Sequence, residues 1–331
     1  MNQPRLTIVV PCYNEEEVLH ITYNELRKKL TMLMDSGLIH SESKILFVDD
    51  GSKDSTWFKI EDLVRKDSAV TGLKLARNFG HQKALLAGME EACKFSDCII
   101  SIDADLQDDI DILPDFIEKY LEGYDVVYGV RKKRDTDTVF KRTTANFFYS
   151  LMEKMGLSIV KNHADYRLLS KRALEALFQF KEVHLFLRGM IPLIGFKSTN
   201  VYYDRKERQA GESKYPLKKM LSFAFDGITS FTIKPIRFIT VIGFLSSTIS
   251  IFAAIYVLFQ RFLAHPISGW ASIMISLWFI GGLMLLSLGL IGEYIGKIYE
   301  EVKHRPRYIV ETFLSHQPSN NESEKRMIET R

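Results

Sequence analysis

The stretch "CIISIDADLQDD", residues 98–109, joins a short apolar run to four carboxylates at 103, 105, 108 and 109. The run from Cys98 to Ile102 has the composition of a buried strand, and the acids follow it directly. Like charges so close together repel each other. The cluster is therefore either an acidic loop without a ligand or a place where a cation binds.

Short apolar runs of this kind alternate with helical patterns through the first 130 residues. We predict strands at 6–10, 45–48, 70–75, 98–102 and 125–128, and helices near 18–34, 55–66, 82–93 and 112–121. The alternation predicts an α/β fold, with a Rossmann-like, mostly parallel sheet flanked by helices. The carboxyl ends of parallel strands share one edge of the sheet, which is where such folds bind ligands.

Polar loops follow all five predicted strands. They read "PCYNEEE", "DDGSKDST", "ARNFGHQ", "DADLQDD" and "GVRKKR". Since the strands end at the same edge, we expect the five loops to form one functional site. Asp108 and Asp109 are expected to start the next helix, where acids interact favourably with the helix dipole.

Overall composition excludes several classes of protein. A net charge of +3 over 331 residues is too small to indicate a nucleic-acid partner. The three cysteines, Cys12, Cys93 and Cys98, have no metal-site spacing and fit a reducing compartment. The first residues lack the basic start and apolar core of a signal peptide.

Two uncharged apolar runs, about 238–260 and 270–292, are long enough to cross a bilayer as helices. A buried core helix is the poorer alternative at this length. The connector is short, which predicts a two-helix transmembrane hairpin. Lys234 and Arg237 precede it, and Lys297, Lys303 and Arg305 follow it. By the positive-inside rule the N-terminal domain and both termini face the cytoplasm, on the inner or plasma membrane.

Four regions follow from these patterns. They are a catalytic domain at 1–215, an interfacial amphipathic segment at 216–235, the hairpin at 236–296 and a cytoplasmic tail at 297–331 whose end is expected to be disordered. Small residues in the hairpin, such as Gly243 and Gly281, permit close helix packing and so a homo-oligomer.

The acidic loop offers ligands for a hard cation. Asp103 and Asp105, separated by one residue at a strand end, can both reach Mg²⁺ or Mn²⁺, which take carboxylates, water and substrate phosphates as ligands. The amide oxygen of Gln107 is a further oxygen ligand. The histidines His81, His163 and His184 have no zinc-like spacing. We expect His81 to be an ordinary surface histidine rather than a substrate contact.

Six motifs in order, "PCYNEEE", "VDDGSKDST", "ARNFGHQKA", "DADLQD", "HADYRLLS" and "RQAGESKY", together resemble the family-2 glycosyltransferases. Within that family they resemble the polyprenyl-phosphate branch, namely bactoprenol glycosyltransferases and dolichol-phosphate mannose synthases. The resemblance implies a GT-A fold and inverting transfer of a single sugar from a nucleotide sugar to undecaprenyl or another polyprenyl phosphate. The lipid-linked sugar would serve modification of a cell-envelope glycan.

The resemblance also assigns residues to the site. Those expected to bind the nucleotide sugar are Pro11, Tyr13, Glu15, Val48, Asp50, Arg77, Asp103, Ala104, Arg131, Arg208 and Lys214. Asp105 and Gln107 are expected to hold Mg²⁺ or Mn²⁺ on the diphosphate, which makes Asp105 catalytic. Apart from the resemblance, the stretch "HLFLRGM" puts Arg188 among apolar residues on the expected membrane side, so Arg188 is a candidate for binding the acceptor phosphate, as is Arg205.

Asp165 matches the general base proposed for the family. A phosphate monoester is already mostly dianionic at neutral pH, so orienting Arg167 or the acceptor is an alternative role for Asp165.

The donor stays open. UDP-glucose or UDP-N-acetylglucosamine is expected, and GDP-mannose is the alternative. A processive polysaccharide synthase is disfavoured, since two spans are too few for a polymer tunnel and the sequence contains no Arg-Trp pair. A non-catalytic membrane adaptor is a third hypothesis, and the intact acids and cations of the motifs argue against it.

Overall fold

The structure is a computed structural model that describes residues 3–132, 163–183, 186–204, 234–262 and 269–316. The described residues form two compact units. One is an α/β unit that includes residues 306–316, and the other is a helical unit within 234–305. The predicted interfacial segment at 216–235 lies almost wholly outside the described residues.

The α/β unit is built on one eight-stranded sheet. Its strands are β1 (Leu6–Cys12), β2 (Lys44–Asp49), β3 (Val70–Leu75), β4 (Cys98–Ser101), β5 (Val126–Arg131), β6 (His163–Ser170), β7 (Ser198–Tyr203) and β8 (Val310–Ser315). They are ordered β7-β5-β6-β4-β1-β2-β3-β8. β1 to β4 pair in parallel with their neighbours among themselves, as do β5 and β7. The five predicted strands and the mostly parallel α/β fold are confirmed.

Helices flank this sheet as α1 (Leu19–Asp35), α2 (Thr56–Lys66), α3 (His81–Ala92), α4 (Leu113–Leu121), α5 (Lys171–Leu177) and α6 (Leu187–Leu193). α1 buries Leu19, Leu26 and Leu30, whose spacing places them on one face. In α3, a Cβ at Gly88 would come within 2.5 Å of Val9 and 2.6 Å of Val48. Glycine therefore lets α3 lie directly on β1 and β2.

β6 was not among the predicted strands, and it decides where the site lies. It runs antiparallel to both β4 and β5 and is inserted between them. β4 and β5 consequently point the same way, so the loop after β5 lies at the same edge as the loop after β4. Arg167 stands in the middle of β6 and is 1% exposed, which removes the apolar alternation that would have indicated a strand.

The helical unit consists of α7 (Lys234–Phe262) and α8 (Trp270–Val302). Both helices are long and apolar enough to cross a membrane, and neither of their candidate spans is buried within the protein. Large apolar side chains are exposed along them, including Phe244 at 72% and Trp278 at 79%. α8 continues to Val302, beyond the predicted end near 292.

β7 and β8 were not among the predicted strands either, and β8 lies in the region predicted to be a tail. It pairs antiparallel with β3 at the edge of the sheet. Glu311 forms an ion pair with Lys74 at 2.8 Å. The Tyr308 hydroxyl donates to the carboxylate of Glu90. After α8 the chain thus returns to the α/β unit and adds the edge strand of its sheet.

Candidate active site

The acidic loop begins directly after β4 and turns back on itself. Leu106 adopts a left-handed backbone with φ of 49°, which is uncommon for a residue with a side chain. The backbone N–H of Gln107 donates to Asp105 Oδ1 at 3.2 Å. Asp103 and Asp105 are partly buried and Gln107 is 8% exposed. Strained backbone of this kind clusters at ligand sites.

Negative charge is concentrated at this loop. Burial raises the pKa of Asp103 to about 6, and the carboxylates of Asp165, Asp108 and Asp105 act in the same direction, while His81 opposes them. A divalent cation would relieve this repulsion, so the residues present fit Mg²⁺ or Mn²⁺. Among the described residues no cluster of three or more His, Cys, Asp or Glu ligands occurs. Mg²⁺ commonly uses only one or two carboxylates and completes its shell with water and phosphates.

Asp108 does not start a helix as predicted. It is 2% exposed, and its Oδ1 accepts hydrogen bonds from Arg131 Nη2 at 3.0 Å and from the Tyr203 hydroxyl at 2.5 Å. Asp108 raises the pKa of Arg131 and so holds it charged. The prediction for Asp109 is confirmed, because its carboxylate caps the turn at Ile110–Ile112.

The loop after β2 is tied to the loop after β3. Asp50 is 2% exposed, and its oxygens accept the backbone N–H groups of Phe79 at 2.7 Å and Gly80 at 2.9 Å. Gly51 has a φ of 66°, and a Cβ there would lie 2.4 Å from the backbone carbon of Arg77. Only glycine allows the two loops to approach so closely.

The other residues assigned to the nucleotide differ in exposure. Pro11, Val48 and Ala104 are buried, and Tyr13 presents a ring that is 41% exposed. The guanidinium of Arg77 lies 4.1 Å from the centre of the Phe79 ring. Glu15 donates its backbone N–H to Thr56 Oγ1 at 2.9 Å.

Asp165 lies near the start of β6, between two guanidinium groups. Arg188 of α6 donates from Nε at 3.2 Å to Oδ1 and from Nη2 at 3.1 Å to Oδ2. Arg167 also donates to Oδ1. Burial alone would raise the pKa of Asp165, but the charges of Arg188 and Arg167 outweigh it and hold that pKa well below its usual range.

His81, the first residue of α3, lies between the acidic loop and Asp165. Its Nε2 is 3.5 Å from Asp103 Oδ1 and 3.7 Å from Asp165 Oδ2. The ring is 44% exposed, and the expectation that His81 is a surface histidine rather than a substrate contact stays a prediction. The histidine connects the two halves of the site.

The sheet edge thus brings together Asp103, Asp105, Gln107, Asp165 and Arg188. In this structure Asp50 and Arg131 are engaged by other protein groups, and their roles toward a nucleotide stay predictions. Arg205, Arg208 and Lys214 lie outside the described residues. Sequence reasoning missed the contacts of Asp108 with Arg131 and Tyr203 and the position of His81 between two carboxylates. Asp108 and Tyr203 are 95 residues apart, so no local pattern announces their contact.

An α/β sheet with polar loops at its carboxyl edge, acids on one side and arginines on the other, defines a class of proteins that bind charged ligands there. The model of "Glycosyl transferase family 2" matches residues 7–178. The chain therefore belongs to glycosyl transferase family 2 and is a glycosyltransferase, as the sequence motifs predicted.

Two relatives span almost the same length. The uncharacterized glycosyltransferase YkoT of Bacillus subtilis is 58% identical, over 95% of this chain and 93% of the relative. The bactoprenol glucosyl transferase of Shigella phage SfV is 39% identical, over 92% of this chain and 98% of the relative. The chain resembles the polyprenyl-phosphate branch of the family, as predicted.

Among solved structures, a similar one is glucosyl-3-phosphoglycerate synthase from Mycobacterium tuberculosis in complex with Mn²⁺ and UDP-glucose. It shares 16% identity, with a TM-score of 0.44, over 68% of this chain and 77% of that one.

Proposed function

We propose that this enzyme transfers a single sugar from a nucleotide sugar to a polyprenyl phosphate, such as undecaprenyl phosphate, at the cytoplasmic face of the membrane. UDP-glucose or UDP-N-acetylglucosamine is the proposed donor, and the product supplies a cell-envelope glycan. The observation that carries the proposal is that His81 lies 3.5 Å from Asp103 of the acidic loop and 3.7 Å from Asp165, the partner of Arg188. The site thus has an acidic side for a metal diphosphate and a cationic side for a second phosphate.

The donor side uses the acidic loop. Asp105 and Gln107 would hold Mg²⁺ or Mn²⁺, which when bound neutralises charge on the diphosphate as it leaves. Asp103, with its raised pKa, would face the ribose, and the exposed ring of Tyr13 would stack on the base. Arg208 and Lys214 are proposed as further phosphate contacts on the basis of the motif "RQAGESK".

The acceptor side suits a lipid that stays in the bilayer. The relatives named bactoprenol glucosyl transferases support this acceptor. The exposed apolar surfaces of α7 and α8 support a membrane-spanning hairpin. Both outer ends of the hairpin connect to the α/β unit, the downstream end through β8, which favours placing both termini on the same side. One displacement without an enzymic nucleophile predicts inversion at the anomeric carbon.

The test is transfer by the purified full-length protein in detergent with undecaprenyl phosphate, Mg²⁺ or Mn²⁺, and a panel of labelled UDP- and GDP-sugars. We expect lipid-extractable label from one UDP-sugar, loss of label with a chelator, and at least a hundredfold loss of kcat in Asp105→Asn. The matched control is Asp62→Asn, which removes an exposed acid of α2 and should leave turnover unchanged. Lipid label from GDP-mannose alone would overturn the proposal of a UDP-sugar donor. If none of the sugars labelled the lipid, the proposed transfer reaction would be overturned.

A further inference from the structure

The hydrogen bonds between Asp165 and Arg188 hold the Arg188 guanidinium in one position, as a binding site for an anion requires. Arg188 contacts both carboxylate oxygens of Asp165, and Arg167 adds a third bond. The Ser101 hydroxyl donates to the backbone oxygen of Asp165 at 2.6 Å, which fixes the strand beneath the carboxylate. A carboxylate bound from so many sides is preorganised as an anion.

Taken together, the charged groups that face Asp165 disfavour its protonation. They are Arg167 on the same strand, Arg188 on α6, His81 on α3 and Asp103 after β4. Burial favours a proton on Asp165, as does the negative charge of Asp103, but the charges of Arg188 and Arg167 outweigh burial, so the pKa of Asp165 stays well below its usual range. A group with so low a pKa is a weak proton acceptor at neutral pH.

The acceptor requires no base. A phosphate monoester has a second pKa of about 6 and is mostly dianionic at pH 7. Its oxygen attacks the anomeric carbon, the bond from that carbon to the leaving diphosphate oxygen breaks, and the electron pair departs with the nucleoside diphosphate. No proton changes place in this step. What the acceptor does require is a cation that positions its phosphate and offsets its charge.

Arg188 meets that requirement better than Arg167. The Arg188 side chain is 33% exposed, whereas that of Arg167 is 1% exposed. With Asp165 ionised, the two arginines and the carboxylate carry a combined charge of about +1, taking each group in its usual charge state. A guanidinium has five N–H donors in a planar fork, enough to bind a carboxylate and a phosphate together.

A second contact, made by the residue before Arg188, helps to fix the position of Arg188. Gln82, next to His81 in α3, accepts the backbone N–H of Leu187 with its Oε1 at 3.2 Å. Leu187 opens α6 and directly precedes Arg188. The same helix α3 therefore holds α6 through Gln82 and approaches Asp103 through His81, which sets the spacing between the acidic and the cationic sides.

We propose that Arg188 binds the phosphate of the lipid acceptor, and that Asp165 is a positioning residue that holds Arg188 in place instead of the general base implied by the family resemblance. This inference rests on the proposed function, because it assumes a phosphate acceptor. It assigns to Asp165 and Arg188 a single joint role, so removing either one should impair the same step.

The first measurement is direct binding of farnesyl phosphate, a short prenyl phosphate, to the full-length protein in detergent without donor. We expect wild type to bind it and Arg188→Ala to bind about 10- to 100-fold more weakly, as loss of a charge-assisted contact predicts. The matched control is Arg172→Ala. Arg172 also pairs with a carboxylate, donating from Nε to Asp125 at 3.1 Å, but it lies on α5, and its loss should leave binding unchanged.

The second measurement separates positioning from base catalysis by steady-state kinetics with undecaprenyl phosphate. We expect Asp165→Asn and Arg188→Ala each to raise the acceptor KM about tenfold or more, with the donor KM unchanged, and the double variant to be no worse than Arg188→Ala. A base role instead predicts that Asp165→Asn lowers kcat at an unchanged acceptor KM and adds to Arg188→Ala. That result would overturn the assignment of Asp165.

The outcomes are distinguishable. If wild type neither binds farnesyl phosphate nor labels a lipid, the proposed function fails. If wild type binds and transfers but Arg188→Ala binds equally well, only the inference fails. Should Asp165→Asn not fold, because Arg167 loses its counter-charge, the binding and KM of Arg188→Ala and of Arg188→Lys decide. Arg188→Lys keeps the charge and loses the fork, so it should fall between Arg188→Ala and wild type.

Discussion

Substitution of Gly51 by alanine tests whether close contact between two loops shapes the donor side. The glycine has a φ of 66°, and an added Cβ would lie 2.4 Å from the backbone carbon of Arg77 and 2.6 Å from the backbone nitrogen of Asn78. Neither atom can rotate away. The loop after β3 would have to retreat by about 1 Å to restore an ordinary contact.

The cost has two parts. A side chain in the left-handed region costs about 1–2 kcal/mol, and overpacking against backbone adds about 1–3 kcal/mol. Gly123→Ala isolates the first part, because Gly123 has a φ of 87° and no atom within 4 Å of the added Cβ. At about 3 °C per kcal/mol for a domain of this size, Gly51→Ala should melt about 3–9 °C below Gly123→Ala.

Function should change in the same direction. The loop that retreats carries the N–H groups that bind Asp50, and it leads into His81 beside Asp103. We therefore expect the donor KM of Gly51→Ala to rise about tenfold, equivalent to about 1.4 kcal/mol, with the KM of Gly123→Ala unchanged. The measurements are thermal unfolding in detergent and donor titration in the transfer assay. Equal melting temperatures for the two variants, together with an unchanged donor KM, would refute this reasoning.

Two further predictions concern hydrogen bonds that stabilise the α/β unit. Tyr308→Phe removes a hydroxyl that donates to Glu90 and should cost about 1 kcal/mol, measured as a lower melting temperature. Tyr202→Phe, on a ring that is 53% exposed, should leave the melting temperature unchanged, and equal effects would argue against the bond. Asp67→Asn should cost about 1–2 kcal/mol at pH 7, because Arg27 donates to Asp67 at 2.6 Å. Burial opposes ionisation of Asp67, but hydrogen bonds from Ala69 and Arg27 lower its pKa overall. This stabilisation is therefore complete above the unfolded pKa of about 3.9 and is lost as the pH falls through the lower folded pKa. A difference between wild type and Asp67→Asn that grows as the pH falls below about 3.9 would contradict it.

The sequence predicted the parallel half of the sheet well because β1 to β4 are buried, as continuous apolar runs indicate, and because each is followed by a polar loop. β6 escaped detection since its centre holds Arg167, a buried charge that pairs with Asp165 two residues earlier in the strand and interrupts the apolar pattern. β8 escaped for another reason. It alternates exposed and half-buried residues at a sheet edge, and its partner strand lies more than 200 residues earlier.

In the site, too, features within one loop could be predicted from the sequence, whereas contacts between distant residues could not. Asp103, Asp105 and Gln107 sit in one loop, so their spacing alone indicated a cation. The partners of Arg131, which are Asp108 and Tyr203, come from separate parts of the chain, so its position depends on the folded sheet. Local chemistry was readable from the motifs, and the pairing of charges across elements was not.

The pairing of β3 with β8 sets an order for biosynthesis. Lys74 and Glu311 are 237 residues apart, and both hydrophobic helices are made between them. While the ribosome is still translating the hairpin, the edge of β3 has no partner strand, and exposed edges of this kind invite pairing with other chains. Pairing of β3 with β8, the last step in completing the sheet, therefore waits until the ribosome has synthesised both apolar helices.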